Sequence, residues 1–275
     1  MADESRGLGL RYSKFVSRAA TRFAIAAMLA TPFAAQAQPD CDAPLDMVRL
    51  AAPLPHVAHK LATKAEPIVI VAIGSSSTQG AGASSPAANY PSRLKEELSA
   101  TFRGHPIVMY NRGVGGEEID DMLKRFDEAM SVHPDLVLWQ LGTNSVLRDH
   151  TVAGHDEAIR AGLAKIRAAG ADVVLIDPQY APKVIAKPLT DSMVNLISLT
   201  AKAENVDLFR RFRLMKRWAV RDQMKFESFV SPDGLHMNDW SYACMAKGLS
   251  VAIAEAAQRP VQSATAAPQI FNDVP

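Results

Sequence analysis

Pro67-Ile68-Val69-Ile70-Val71-Ala72-Ile73 runs directly into Gly74-Ser75-Ser76-Ser77-Thr78-Gln79-Gly80. A β-branched run with no polar face predicts a strand buried on both sides, as in a parallel sheet covered by helices. The strand ends on a glycine, and three hydroxyls follow at once. In sheets of this kind ligands bind beyond the carboxyl ends of the strands, so the hydroxyls stand where chemistry is expected.

Outward from that strand the same alternation repeats. Residues 90–102 read as a helix, with Pro91 near its start and Leu94, Leu98 and Phe102 spaced by four. Residues 107–110, 136–141, 173–176 and 206–209 read as four more strands. Between and after them, 117–130, 155–169, 192–203 and 240–257 read as helices. Strands alternating with helices predict an α/β protein: a three-layer α/β/α sandwich around a five-stranded, mostly parallel sheet. No internal repeat is visible, so residues 66–258 read as one domain. Residues 38–65 are a proline-dotted lead-in, and 259–275 read as a disordered tail.

At the other end, Arg6, Arg11, Lys14, Arg18 and Arg22 precede an apolar run over residues 23–35, and Ala35-Gln36-Ala37 is a small-x-small cleavage site. This is the order of a secretory signal, which predicts removal of residues 1–37 and a periplasmic or secreted product. The run is shorter than the roughly 20 residues of a spanning helix, so no stable membrane span is expected once the signal is cleaved. In an oxidising compartment the two cysteines, Cys41 and Cys244, become candidates for one bridge.

The 275 residues are 48% apolar and 21% charged, with 30 basic and 29 acidic side chains. That balance gives no reason to expect a nucleic-acid partner. His56 and His59 lie in the lead-in with no partner motif, so no metal site and no cofactor is expected. Residues 209–226 interleave Arg and Lys with Phe212, Leu214, Met215 and Trp218. They read as an amphipathic helix with a solvated basic face, the alternative being a flank that guides an anionic substrate.

Three further pieces join the serine loop. Asn111-Arg112-Gly113-Val114-Gly115-Gly116 follows the second strand, Gly142-Thr143-Asn144 the third, and Asp233-Gly234-Leu235-His236 lies near the last helix. A serine hydroxyl attacks only when a base takes its proton, and His236 is the best candidate base. Asp233, three residues earlier, can reach the far ring nitrogen and fix its tautomer. Gly116 can offer a bare backbone N–H and Asn144 an amide N–H to a developing oxyanion, beside the N–H of the nucleophile itself. Nucleotide readings fail: the glycine spacing is wrong for a dinucleotide fold, and the first loop lacks the Lys-Ser/Thr of a P-loop. Which of Ser75, Ser76 and Ser77 attacks is not decided by these residues alone.

The ordered set resembles the SGNH (GDSL-type) hydrolases, whose blocks usually read Gly-Asp-Ser, Asn-x-Gly-x-x-Gly, Gly-x-Asn-Asp and Asp-x-x-His. The resemblance implies a flavodoxin-like fold, Ser76 as nucleophile, Asp233 and His236 as its partners, and Ser76, Gly116 and Asn144 as the oxyanion hole. Ser75 and Ser145 stand where the family usually carries aspartates. The Gly-x-Ser-x-Gly elbow of α/β-hydrolases is absent. Gln179 and Tyr180, after the fourth strand, are candidates for substrate contact.

The expected activity is therefore an exported serine esterase acting on acyl esters, acetyl foremost, on a small molecule or polysaccharide. Lysophospholipase, thioesterase or arylesterase activity is the nearest alternative, and O-acyl transfer to a polysaccharide a second. A glycan-binding protein without activity is disfavoured by the intact set.

Overall fold

In the computed structural model, residues 40–41, 43–63 and 66–260 are described. The signal-like segment and the chain after residue 260 lie outside the described residues. Five strands form one sheet: β1 (Ile68–Gly74), β2 (Ile107–Gly113), β3 (Leu136–Gln140), β4 (Asp172–Ile176) and β5 (Asp207–Phe209). Their order is β2-β1-β3-β4-β5 and every pairing is parallel. This is the flavodoxin-like arrangement, and its switch point lies between β1 and β3.

Helices cover both faces. Tyr90–Thr101 and Asp239–Gln258 pack together on one, while Ile119–Lys124, Phe126–Met130, His155–Ala168 and Thr190–Ala203 pack on the other. Alternation along β3 shows the division. Trp139 points one way, with its ring 4.9 Å from that of Phe126 and its edge against Gly162. Its neighbour Gln140 points the other way, toward Ser75 and Thr78. The central strands are buried along almost their whole length, as a sheet covered on both faces requires.

Three local features differ from the sequence expectation. First, β2 does not stop at Tyr110 but runs through Asn111 and Arg112 to Gly113, because all seven of its residues find partners on β1. Second, the helix expected over 117–130 breaks at Arg125. There the guanidinium turns back to clasp Glu117, Nε at 2.9 Å and Nη2 at 2.5 Å, and reaches Gly74 O at 3.3 Å.

Third, the lead-in is folded onto the domain. It carries helices Leu45–Val48 and Pro55–Ala62 and buries Val48, Leu50, Leu54 and Val57 in the core. Backbone donors hold it in place: Ala52 N gives to Asp207 Oδ1 at 2.9 Å and Val57 N to Asp172 Oδ2 at 3.0 Å. Cys41 is disulfide-bonded to Cys244 of the last helix, 203 residues away, with Cα atoms 5.3 Å apart.

The basic stretch does form an amphipathic helix, Arg211–Val220, burying Phe212, Leu214, Met215 and Trp218. One of its cations is not on the solvated face. Arg211 is fully buried and donates from Nε to Asp177 O at 2.9 Å.

Candidate active site

The pieces quoted from the sequence converge on the carboxyl edge of β1 and β3. Ser76 opens the short helix Ser76–Gln79 just past β1. Its Oγ lies 2.8 Å from His236 Nε2, and His236 Nδ1 lies 2.5 Å from Asp233 Oδ2. Of the three consecutive serines only Ser76 faces the imidazole. Ser75 is 2% exposed and bonded to Gln140, and Ser77 is 1% exposed and bonded to Tyr242.

Asp233 is held independently of the histidine. Its Oδ1 accepts from Ser231 Oγ at 2.6 Å, Leu235 N at 2.8 Å and His236 N at 2.9 Å. Burial raises the pKa of this carboxyl, but the bonds from Ser231, His236 and the backbone outweigh it. The result lies well below the usual carboxylate range. An ionised carboxylate so fixed can orient the ring and stabilise an imidazolium.

The groups expected to donate to an oxyanion lie on two loops. Gly116 has φ +82°, a conformation glycine adopts without strain, and neither its N–H nor that of Ser76 meets a backbone carbonyl among the described residues. Asn144 Nδ2 donates to Glu117 O at 2.7 Å, tying the loop of Gly116 to the end of β3. A carboxamide has two N–H groups, so one remains for a ligand. Arg148 Nη2 donates to Gly116 O at 2.8 Å and holds the peptide from its other side. Gly113 serves by close approach: a Cβ there would sit 2.1 Å from Gln79 N.

The two serines that replace family aspartates have partners that suit hydroxyls. Ser75 N and Oγ both donate to Gln140 Oε1, at 2.9 and 3.1 Å. Ser145 Oγ donates to Glu118 Oε2 at 2.7 Å. Glu118 also receives Arg148 Nη1 at 2.6 Å and lies 3.1 Å from His150 Nδ1. Burial pushes the Glu118 pKa up, yet these three partners prevail and lower it. An aspartate at 145 would set two carboxylates against each other. Trp139 and Gln140, just before the third block, are sequence candidates for the pocket border, whereas nothing local points to Glu118; the partners of Gln140 and Glu118 lie 65 and 27 positions away.

Gln179 and Tyr180 do not behave alike. Gln179 is 1% exposed, and both ends of its carboxamide are occupied: Oε1 accepts from Thr143 Oγ1 at 3.0 Å and Nε2 donates to Leu235 O at 3.3 Å. It joins the β3 loop to the histidine loop, and its carboxamide is turned to those partners. Tyr180 is half-buried beside a cavity and packs on Phe212 and Phe226.

A parallel α/β sheet with Ser76, His236 and Asp233 in hydrogen-bond contact at its switch point is the arrangement that the resemblance to SGNH hydrolases implies. Residues 40–259 match the non-GDSL lipase-like family, and the chain belongs to that family. Gly74-Ser75-Ser76, which lacks the Gly-Asp-Ser signature, agrees with that description. No curated protein matches the sequence.

Among solved structures, a two-domain esterase active on acetylated mannans is similar over 78% of this chain (19% identity, TM-score 0.66). The match covers 56% of that esterase, so this chain corresponds to little more than half of its length. A catalytic mutant of Axe2, an acetylxylan esterase from Geobacillus stearothermophilus, matches over 69% of this chain and 96% of its own (17% identity, TM-score 0.59). A lipase/acylhydrolase from Enterococcus faecalis matches over 68% and 95% (24% identity, TM-score 0.56). At these identities the likeness is one of fold.

Proposed function

We propose that this chain is an exported serine esterase that removes acetyl groups from carbohydrate. The observation that carries the chemistry is the continuous relay from Ser76 Oγ through His236 to Asp233, at 2.8 and 2.5 Å. Ser76 Oγ attacks the ester carbonyl carbon while its proton passes to His236 Nε2. The imidazolium is stabilised through Nδ1 by the ionised Asp233. The oxyanion takes hydrogen bonds from the N–H groups of Ser76 and Gly116 and from Asn144 Nδ2. Collapse expels the alcohol, which receives the proton from Nε2 and leaves an acetyl-Ser76. Water, deprotonated by His236, then releases acetate and restores the serine.

The substrate class draws support from two similar structures, described as active on acetylated mannans and as an acetylxylan esterase. Export draws support from the Cys41–Cys244 bridge, since such bonds persist in oxidising compartments. The test is a chain-length series of aryl esters beside acetylated mannan and xylan, with Ser76→Ala as blank. Acetyl preference, activity on the polysaccharides and a loss of at least ~10³-fold in Ser76→Ala are expected. A clear preference for long acyl chains would overturn the deacetylase reading, and undiminished activity in Ser77→Ala with loss in Ser76→Ala is required by the relay.

A further inference from the structure

A cavity of about 320 Å³ is lined by Tyr180, Ile185, Lys187, Thr190, Asp191, Phe212 and Lys216. Its size falls at the lower end of small-molecule sites. Much of its lining comes from the segment 180–191, through Tyr180, Ile185, Lys187, Pro188, Thr190 and Asp191. That segment touches the relay's own loop: Lys183 N donates to Gly234 O at 3.0 Å, and Gln179 donates to Leu235 O. The segment that lines the cavity is therefore hydrogen-bonded to the turn that carries Asp233 and His236.

The cavity is built rather than incidental. Tyr180 is fixed by an edge contact with Phe212 at 5.2 Å and a stacked contact with Phe226 at 5.9 Å. Lys187 Nζ is 2.5 Å from Asp149 Oδ2, just past the helix Thr143–Leu147 that holds Asn144. Thr190 Oγ1 donates to Val184 O at 2.5 Å, pinning the wall. Lys216 and Asp191, both exposed, have no ion-pair partner among the described residues and face a shared space.

We propose that this cavity is a saccharide subsite, holding a sugar ring of the alcohol portion of the ester while Ser76 attacks the acyl carbon. The inference rests on the esterase reading above and names where its substrate is recognised. The lining decides the class of ligand. A fatty acyl chain needs an apolar wall, and this one is mostly polar. A strongly anionic ligand would meet Asp191. A neutral sugar fits: hydroxyls can pair with the Asp191 carboxylate and the Lys216 ammonium, while a ring face lies against an aromatic side chain.

The test separates this subsite from the chemistry. Lys216→Ala and Asp191→Ala change exposed side chains, and Ile185→Trp fills the cavity mouth. Each is assayed with an acetylated oligosaccharide and with an aryl acetate that has no sugar. The KM for the oligosaccharide should rise about tenfold, with kcat/KM for the aryl acetate unchanged. In a Ser76→Ala background, titration with the deacetylated oligosaccharide should show binding that these substitutions weaken by a similar factor. Unchanged oligosaccharide KM and binding in all three variants overturns the subsite. So does a shift confined to long-chain acyl esters, which would make the cavity an acyl site. Wild-type protein inert toward every ester instead sinks the esterase reading, and the binding titration still judges the cavity.

Discussion

Ser75 gives both its backbone N–H and its hydroxyl to one atom, Oε1 of Gln140, at 2.9 and 3.1 Å. The contact fixes the residue before Ser76 to the end of the adjacent strand. Thr78 Oγ1 approaches the same oxygen at 3.4 Å and also meets Tyr90 Oη at 3.0 Å. Gln140→Leu keeps the volume and removes the acceptor, leaving the buried donors of Ser75 unpaired. An unsatisfied buried donor costs about 1–3 kcal/mol, so a loss of about 2–4 kcal/mol in urea denaturation is expected, with kcat reduced. Stability within 0.5 kcal/mol of wild type, by that rough measure of a neutral surface change, would show that the contact carries no weight.

Gln179 makes the corresponding link for the other half of the relay, from Thr143 to Leu235 O. A substrate contact and a brace predict different kinetics. Removing a contact made equally in ground and transition states raises KM, whereas misplacing the base lowers kcat. Gln179→Leu is expected to lower kcat by about 10–100-fold with KM nearly constant, since small displacements of reacting groups cost on this scale. A rise in KM at constant kcat would return Gln179 to the substrate surface.

The central elements were legible because their signals are local. The run before Gly74 has no polar face, and Leu94 and Leu98 recur at helical spacing on what becomes a buried stripe. The four blocks were legible because each ends a strand or carries a His-Asp spacing. What escaped depends on distant partners. Nothing near Arg125 announces that its guanidinium will leave the helix for Glu117 and Gly74. Nothing near residue 52 announces that Asp207 will receive its N–H. Gln179 reads as a candidate for substrate contact because it follows a strand at the ligand-binding rim, and only its bonds to the loops of Thr143 and Leu235 occupy its carboxamide.

Asp207 also makes stability depend on pH. Burial raises its pKa to about 6, against the lowering effect of backbone donors from Ala52 and Ala51 and of Arg259. An unfolded aspartate titrates near 3.9, so between about pH 4 and 6 the folded state holds a proton that the unfolded state releases. The contribution is fully present below the unfolded value and is lost as pH rises through the folded one. Asp207→Asn keeps an acceptor for Ala52 N and cannot ionise. Relative to wild type, the variant should gain about 2–3 kcal/mol between pH 4 and pH 7.5 in paired denaturation curves. A difference independent of pH would mean that Asp207 does not titrate in this range.

The bridge from Cys41 to Cys244 closes a loop of 203 residues and anchors the segment that Asp207 and Asp172 receive. Cys244 is buried in the last helix, against the face that packs on Tyr90–Thr101 and the lead-in. Cross-linking across so long a loop lowers the entropy of the unfolded chain, worth about 3–5 kcal/mol. The relay hangs from β1 and from the turn before the last helix, neither of which contains the bridge. Cys41→Ser/Cys244→Ser is therefore expected to unfold at a lower temperature, with kcat/KM at 25 °C close to wild type. Thiol titration of unreduced, unfolded protein should find no free thiol, and reductant should lower the Tm of wild type but not of the double variant. Two reactive thiols in the unreduced protein would remove the bridge, and with it the support it lends to export.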